Sequence, residues 1–134
     1  MGILLIVALA AATGANDYSH FRVSAAQQNR ITSAEYRRCS SRAIHNEEAV
    51  QCIRDERGRL DQLLNVKYRA AMAKMLSQHQ HLRATERQWL QDSEQECFNE
   101  MHLVGHTPYE LALHQCQIDG LIRRIAWLDK LRRN

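Results

Sequence analysis

The sequence predicts an all-α protein, a small antiparallel helical bundle stapled by disulfides. Three observations predict it. Of 134 residues only five are glycine and one is proline, and aromatic residues make up 6%, which suits helices better than a sandwich or barrel. Apolar residues recur at steps of three and four over long stretches. Four cysteines, Cys39, Cys52, Cys97 and Cys116, follow an N-terminal apolar run, and an even number in a short exported chain reads as a disulfide framework. The length allows one domain. The net charge of +3, from 18 basic and 15 acidic residues, is too weak and too interspersed to imply nucleic-acid binding.

Residues Ile3 to Ala12 are apolar and Thr13-Gly14-Ala15 follows. The run is too short to span a bilayer and has the length and ending of a secretory signal. No Lys or Arg precedes it, so the positive segment of such a signal is missing, as it would be if the true start lay upstream. Residues 1–15 are therefore expected to be a signal peptide, 16–31 a polar leader that is extended or frayed, and 32–134 the helical domain. No lipid-anchor motif is evident, and no integral membrane segment is expected in the mature chain.

Within the domain, Thr32 and Glu35 have capping-box spacing, and a short helix is expected through Tyr36 and Ala43. Asn46 is expected to cap another, with Glu47 and Glu48 in its first turn. The clearest amphipathic stretch runs from Leu60 to about Leu76, with Leu60, Leu63, Leu64, Tyr68, Ala71, Met72 and Met75 on one stripe. Ser77 is expected to cap the next helix, His79 to Met101, whose inner face carries Leu82, Trp89, Leu90, Cys97 and Met101. Gly105 breaks the pattern. Thr107-Pro108-Tyr109-Glu110 restarts it, with a cap residue, proline at the first helical position and Glu two residues later. The last helix runs to about Arg132, with Leu113, Cys116, Leu121, Ile125 and Leu128 on its face. Gly120 lowers its helix propensity but permits a neighbour to approach.

The four cysteines allow three pairings, each small loop worth roughly 3 kcal/mol on the chain-entropy model. Cys39 and Cys52 would lie about 20 Å apart on one straight helix, too far for a disulfide. A 39–52 bond therefore requires a break, most naturally near His45-Asn46. The short Gly105 connection makes the last two helices antiparallel neighbours. That brings Cys97 and Cys116 roughly level, and Cys39–Cys52 then follows by elimination. The cysteine spacings of 13, 45 and 19 residues contain no Cys-x-x-Cys knuckle, so no zinc site is expected.

Leu60-Asp61-x-x-Leu64-Asn65-x-x-Tyr68, then Met72-x-Lys74-x-Leu76-Ser77, then Arg87-x-Trp89 with Cys97 eight residues on, resembles the LprI-like family over about residues 36 to 131. The resemblance implies an exported four-cysteine helical domain, and lysozyme as a target. The sequence departs from the family pattern at Glu86, Ser93 and Glu94, where the family commonly has Gln, then an Arg-Asp pair. Its Gly105-His106-Thr107 loop is altered too. Fold survives such changes better than target does.

Trp89 is expected in the core. Trp127 reads either as a helix-packing edge or as an aromatic anchor for a partner. Arg123, Arg124, Lys130, Arg132 and Arg133 form a basic C-terminal section, and Arg37, Arg38 and Arg42 a second cluster. Each reads either as a solvated face, the C-terminal one favoured by the helix dipole, or as a docking surface for an acidic cleft. The partner-binding candidates are thus Arg37, Arg38, Arg42, Arg123, Arg124, Trp127 and Lys130. His102 and His106 do not make a metal motif, and Glu96–Glu100 is the only same-face acid pair among Glu94, Glu96 and Glu100. No nucleophile motif or phosphate loop appears, and no cofactor is implied. The expected function is that of a periplasmic or secreted binding protein rather than an enzyme, blocking a lysozyme or related hydrolase sterically. The alternatives are immunity to another envelope-targeting toxin, or a structural envelope role.

Overall fold

A computed structural model describes residues 21–101 and 109–133, and every regular element among them is helical. In chain order these are α1 (Ala25–Ile31), α2 (Ala34–Arg42), α3 (Asn46–Lys74), a 3-10 turn (Leu76–Gln78), α4 (His79–Met101) and α5 (Tyr109–Arg133). Gly105, the Thr107-Pro108 restart, His102 and His106 lie outside the described residues.

The leader is not extended to residue 31, because Ser24 and Gln27 cap α1 reciprocally. The Ser24 hydroxyl accepts from the Gln27 N–H at 3.1 Å, and the Gln27 side chain accepts from the Ser24 N–H at 3.1 Å. Phe21, Val23 and Ile31 then pack, half-buried, on the core. The cap of α2 falls one residue later than expected. Ser33 takes it, accepting from the Tyr36 N–H at 3.0 Å. Residues 43–45 form the anticipated break, and it lets Cys39 and Cys52 bond with Cα atoms 5.7 Å apart.

α3 is a single helix of 29 residues, about 44 Å long, where the sequence reads as two. It passes through Gly58 without a break. His45 holds the extended backbone of the cap position, and Asn46 is the first helical residue. At the other end the backbone of Met75 leaves the helical region, and Ser77 lies inside the 3-10 turn that follows.

α5 is the central helix. α3 packs along one side of it in the most extensive pairing of the fold, and α4 packs more sparsely on another. Ile53, Leu60, Leu64 and Ala71 of α3 meet Ile118, Leu121, Ile122, Ile125 and Leu128 of α5, with Leu82 and Trp89 contributed by α4. Burying each large aliphatic side chain stabilises by roughly 1.5–3 kcal/mol. Enclosure on two sides leaves Arg124 to Leu128 buried without interruption, wider than the one-sided stripe expected. Conversely Leu90, expected inward, is 47% exposed, because Trp89 beside it occupies the inner position.

α4 and α5 run antiparallel in a register read from three levels. Cys97 bonds Cys116 with Cα atoms 5.5 Å apart. Four residues on, Ser93 faces Gly120, where an added Cβ would stand 4.0 Å from that of Ser93. Four further, the Trp89 ring faces Arg124, 5.6 Å from its guanidinium carbon.

Candidate protein-binding surface

The two basic clusters have different fates. Arg37, Arg38 and Arg42 are all exposed on α2. Arg37 Nη1 donates to the carbonyls of Asn29 and Thr32 at 3.1 and 2.9 Å, and so ties down the end of α1. Arg38 stands 3.6 Å from Glu35 in a pair exposed on both sides, which holds it only weakly. Cys39 lies between these arginines, so its disulfide fixes the basic face of α2 to α3.

The cluster on α5 does not form one surface. Lys130 is exposed, its ammonium 5.6 Å from the Phe21 ring centroid. Arg123 is half-buried and lines a groove against α4. Arg124 and Trp127, expected as possible partner contacts, are 1% and 6% exposed. They belong to the interior because α3 and α4 enclose this part of α5. The Arg124 guanidinium lies 4.3 Å from the Trp127 ring centroid, with Trp89 beside it at 5.6 Å. Its Nε and Nη2 donate to Oε2 of Glu86 at 2.9 and 2.7 Å. Facing rings and a carboxylate make the desolvated cation tolerable. Glu86 is one of the positions at which the sequence departs from the family pattern, and here it is the counter-ion of the core.

The groove between α4 and α5 has a volume of about 580 Å³. Trp89, the Cys97–Cys116 bridge, Ala84 and Gly120 supply apolar lining, and Gln88, Asp92, Ser93, Glu96, Asp119 and Arg123 supply polar lining. The protein packed around the Asp119 carboxyl raises its pKa above the ordinary carboxylate value, against the bond from Gln115 and the charge of Arg123. Gln88 and Gln115 each donate to an aspartate one turn on, Asp92 at 2.8 Å and Asp119 at 3.1 Å.

Sequence reasoning missed a second buried charge cluster. Glu56 is 3% exposed. Its carboxylate accepts from the Ser33 N–H at 2.9 Å and the Ser33 hydroxyl at 2.5 Å, and from Arg59 Nη2 at 2.5 Å. Arg59 also donates to the Ile31 carbonyl. Burial alone would raise the Glu56 pKa, but the bonds from Arg59 and Ser33 outweigh it, and the value lies below the ordinary one. The cluster thereby locks the α1–α2 corner onto α3. Its signal was in the sequence, since Glu56 sits on the stripe of Ile53 and Leu60 at helical spacing, where a charge needs a partner. His114, also buried, lies 3.4 Å from Arg57 through Nδ1. Burial, then the charges of Arg57 and Arg54, lower its pKa.

Among the described residues no group of three or more His, Cys, Asp or Glu could hold a metal ion, and no helix is long and apolar enough to cross a membrane. Neither a curated protein nor a solved structure matches the chain. The family model described as lysozyme inhibitor LprI does match, over residues 38–128. That span begins just before Cys39 and takes in both disulfides, the buried Glu86–Arg124 pair and the groove, and so the chain belongs to the LprI family.

Proposed function

We propose that this is an exported protein that inhibits a lysozyme or related cell-wall hydrolase by covering its substrate cleft. The observation that carries the reading is the family match across the whole cross-linked part of the bundle. The chain is a binding protein rather than an enzyme, and blocking a cleft requires only a rigid surface. Two disulfides support residence in an oxidising compartment, periplasmic or secreted, where such bonds persist. Removal of residues 1–15 as a signal fits the same route.

Lysozyme-type clefts carry two catalytic carboxylates. The exposed Arg37, Arg38 and Arg42 on α2 form the basic face that complements such a cleft, with Lys130 and Arg123 as further cations. Arg124 and Trp127 act from the interior by holding α4 against α5. The test is inhibition of purified lysozymes of several types by the oxidised chain from residue 16 onward, with binding stoichiometry measured by calorimetry. One-to-one inhibition of at least one type, weakened by Arg38→Ala combined with Arg42→Ala, is the expected result. Absence of binding to every type would overturn the lysozyme assignment and turn the search to other envelope-targeting toxins.

A further inference from the structure

The charges of the bundle are sorted along its axis, and an exposed apolar corner lies at the positive end. Two acid-poor segments make that end. Residues 62–85 carry four lysines and arginines and no acid, and residues 120–133 carry five against the single acid Asp129. The fold brings the two segments together. α3 runs parallel to α5, with three contacts in matching order: Arg57 with His114, Lys67 with Asp129, and Lys74 with the Arg132 carbonyl. α4 starts at the same end, because it follows the 3-10 turn directly and runs antiparallel to α5. Acids lie towards the other end. Glu47 and Glu48 are in the first turn of α3 and Glu110 in that of α5, while Asp92, Glu94 and Glu96 are in the second half of α4.

At the positive end the chain turns from α3 into α4 through Leu76–Gln78, and Leu76 is 72% exposed. It continues an outer stripe of α3, Val66, Arg69 and Ala73, all exposed and spaced by three and four. Arg69, Lys74, Arg83, Arg132 and Arg133, also exposed, lie within two turns of the three helix ends that meet here. We infer that this corner docks the protein on an anionic phospholipid membrane. The inference goes beyond the inhibitor reading and does not depend on it. A convex corner with an aliphatic tip offers no pocket to a protein's side chain, but it fits a deformable planar surface. Leu76 enters the interface, and the long stems of the surrounding cations let their charged heads meet lipid phosphates. Screening confines that attraction to roughly 10 Å from the surface, so the membrane holds this end alone. α2, tied to α3 at Cys52 and Glu56, then keeps its arginines about 30 Å from the corner, clear for another partner.

The test is co-sedimentation of the oxidised chain from residue 16 onward with phosphatidylcholine vesicles, with and without phosphatidylglycerol, at low and high salt. Saturable binding is expected only with phosphatidylglycerol, and it should fall as salt rises. Arg69→Gln combined with Arg83→Gln should weaken it at least about tenfold, since each cation near an anionic surface adds to the attraction. Leu76→Ser should weaken it about threefold or more with the charge unchanged. Arg38→Gln combined with Arg42→Gln removes the same charge from α2 and should change it less than about threefold. All five positions are exposed, so circular dichroism of the variants should match that of the parent. Equal binding to neutral vesicles, no binding to either kind, indifference to Leu76→Ser or to the Arg69 and Arg83 pair, or an equal loss from the α2 pair would each overturn the proposal. Binding of polyglutamate but not of vesicles, through Arg69 and Arg83, would overturn it in favour of an acidic protein partner. No lysozyme enters the assay, so failure here leaves the hydrolase reading standing, and failure to inhibit any lysozyme leaves this one.

Discussion

The two seams of the bundle are built on opposite plans. Between α3 and α5 the contact is long and apolar, Ile53, Leu60, Leu64 and Ala71 against Ile118, Ile122 and Ile125, with the Lys67–Asp129 ion pair at 2.9 Å near one end. Between α4 and α5 the contact is sparse and held at a few points. These are the Cys97–Cys116 bond, the buried Glu86–Arg124 pair between two tryptophans, and Leu82. The first seam supplies the core. The second leaves a groove open beside it, and a disulfide compensates for packing that the groove forgoes. Stability is thus concentrated on the α3 side of the central helix, while the α4 side leaves a groove open.

The comparison can be broken most severely at the apolar seam. Leu60→Ala should cost about 3–4 kcal/mol, since the side chain is fully buried and the rigid helix pair cannot collapse into the space. Thr85→Ala in the groove should stay within about 0.5 kcal/mol. Urea denaturation of the two variants measures the contrast, and similar losses would contradict the division of roles. Next is Glu86→Ala, which strands the Arg124 cation and should cost about 3 kcal/mol. Replacing both partners by apolar residues, Glu86→Leu with Arg124→Met, should be the milder change. If the double variant were worse than the single, the pair would be holding the seam by more than charge neutralisation.

Removing the Cys97–Cys116 bond by double serine substitution should cost roughly 2–3 kcal/mol. It should also raise hydrogen exchange along α4 while leaving the α3–α5 amides protected. Acid should expose a different weakness. The Glu56 pKa is lower in the folded chain than in the unfolded one. Its stabilisation is therefore complete above the ordinary carboxylate value and is lost as pH falls through the folded value. Glu56→Gln should remove that part of the acid dependence in a series of melts between neutral pH and pH 3. The smallest effect is a gain. Gly58 has open space where a Cβ would sit, so Gly58→Ala should stabilise α3 by about 1 kcal/mol. Gly120→Ala, facing Ser93 at ordinary contact distance, should do nearly the same and narrow the groove.

Much of this architecture was legible in the sequence. The spacing of apolar residues places α4 at His79–Met101, the bounds observed. Helix geometry demanded a break between Cys39 and Cys52, and the chain breaks at residues 43–45. What escaped had a common physical origin. Periodicity describes a helix with one buried side, and α5 is enclosed on two, so Arg124 reads as surface and Trp127 as either a packing edge or a partner anchor when both are core. Glu56 and Glu86 escaped because a charged residue on an apolar stripe does not disclose its partner. Ser33 lies 23 residues from Glu56, and Arg124 lies 38 from Glu86. The α1 helix was hidden in a polar stretch because its stabilisation begins with a two-residue cap rather than with a long apolar face.

Both disulfides join cysteines that are neighbours in sequence, across 13 and 19 residues. Each is a clasp on a corner, and neither spans the long pairing of α3 with α5. Of the three possible pairings, this one closes the shortest loops, and short loops are the ones a disordered chain closes at least entropic cost. Oxidation of the nascent chain is therefore biased toward the native bonds before the core exists. The two looped ends then have only to find each other across the 44 residues between Cys52 and Cys97. The pattern of cysteines thus works as an instruction for the order of assembly as well as a reinforcement of its result.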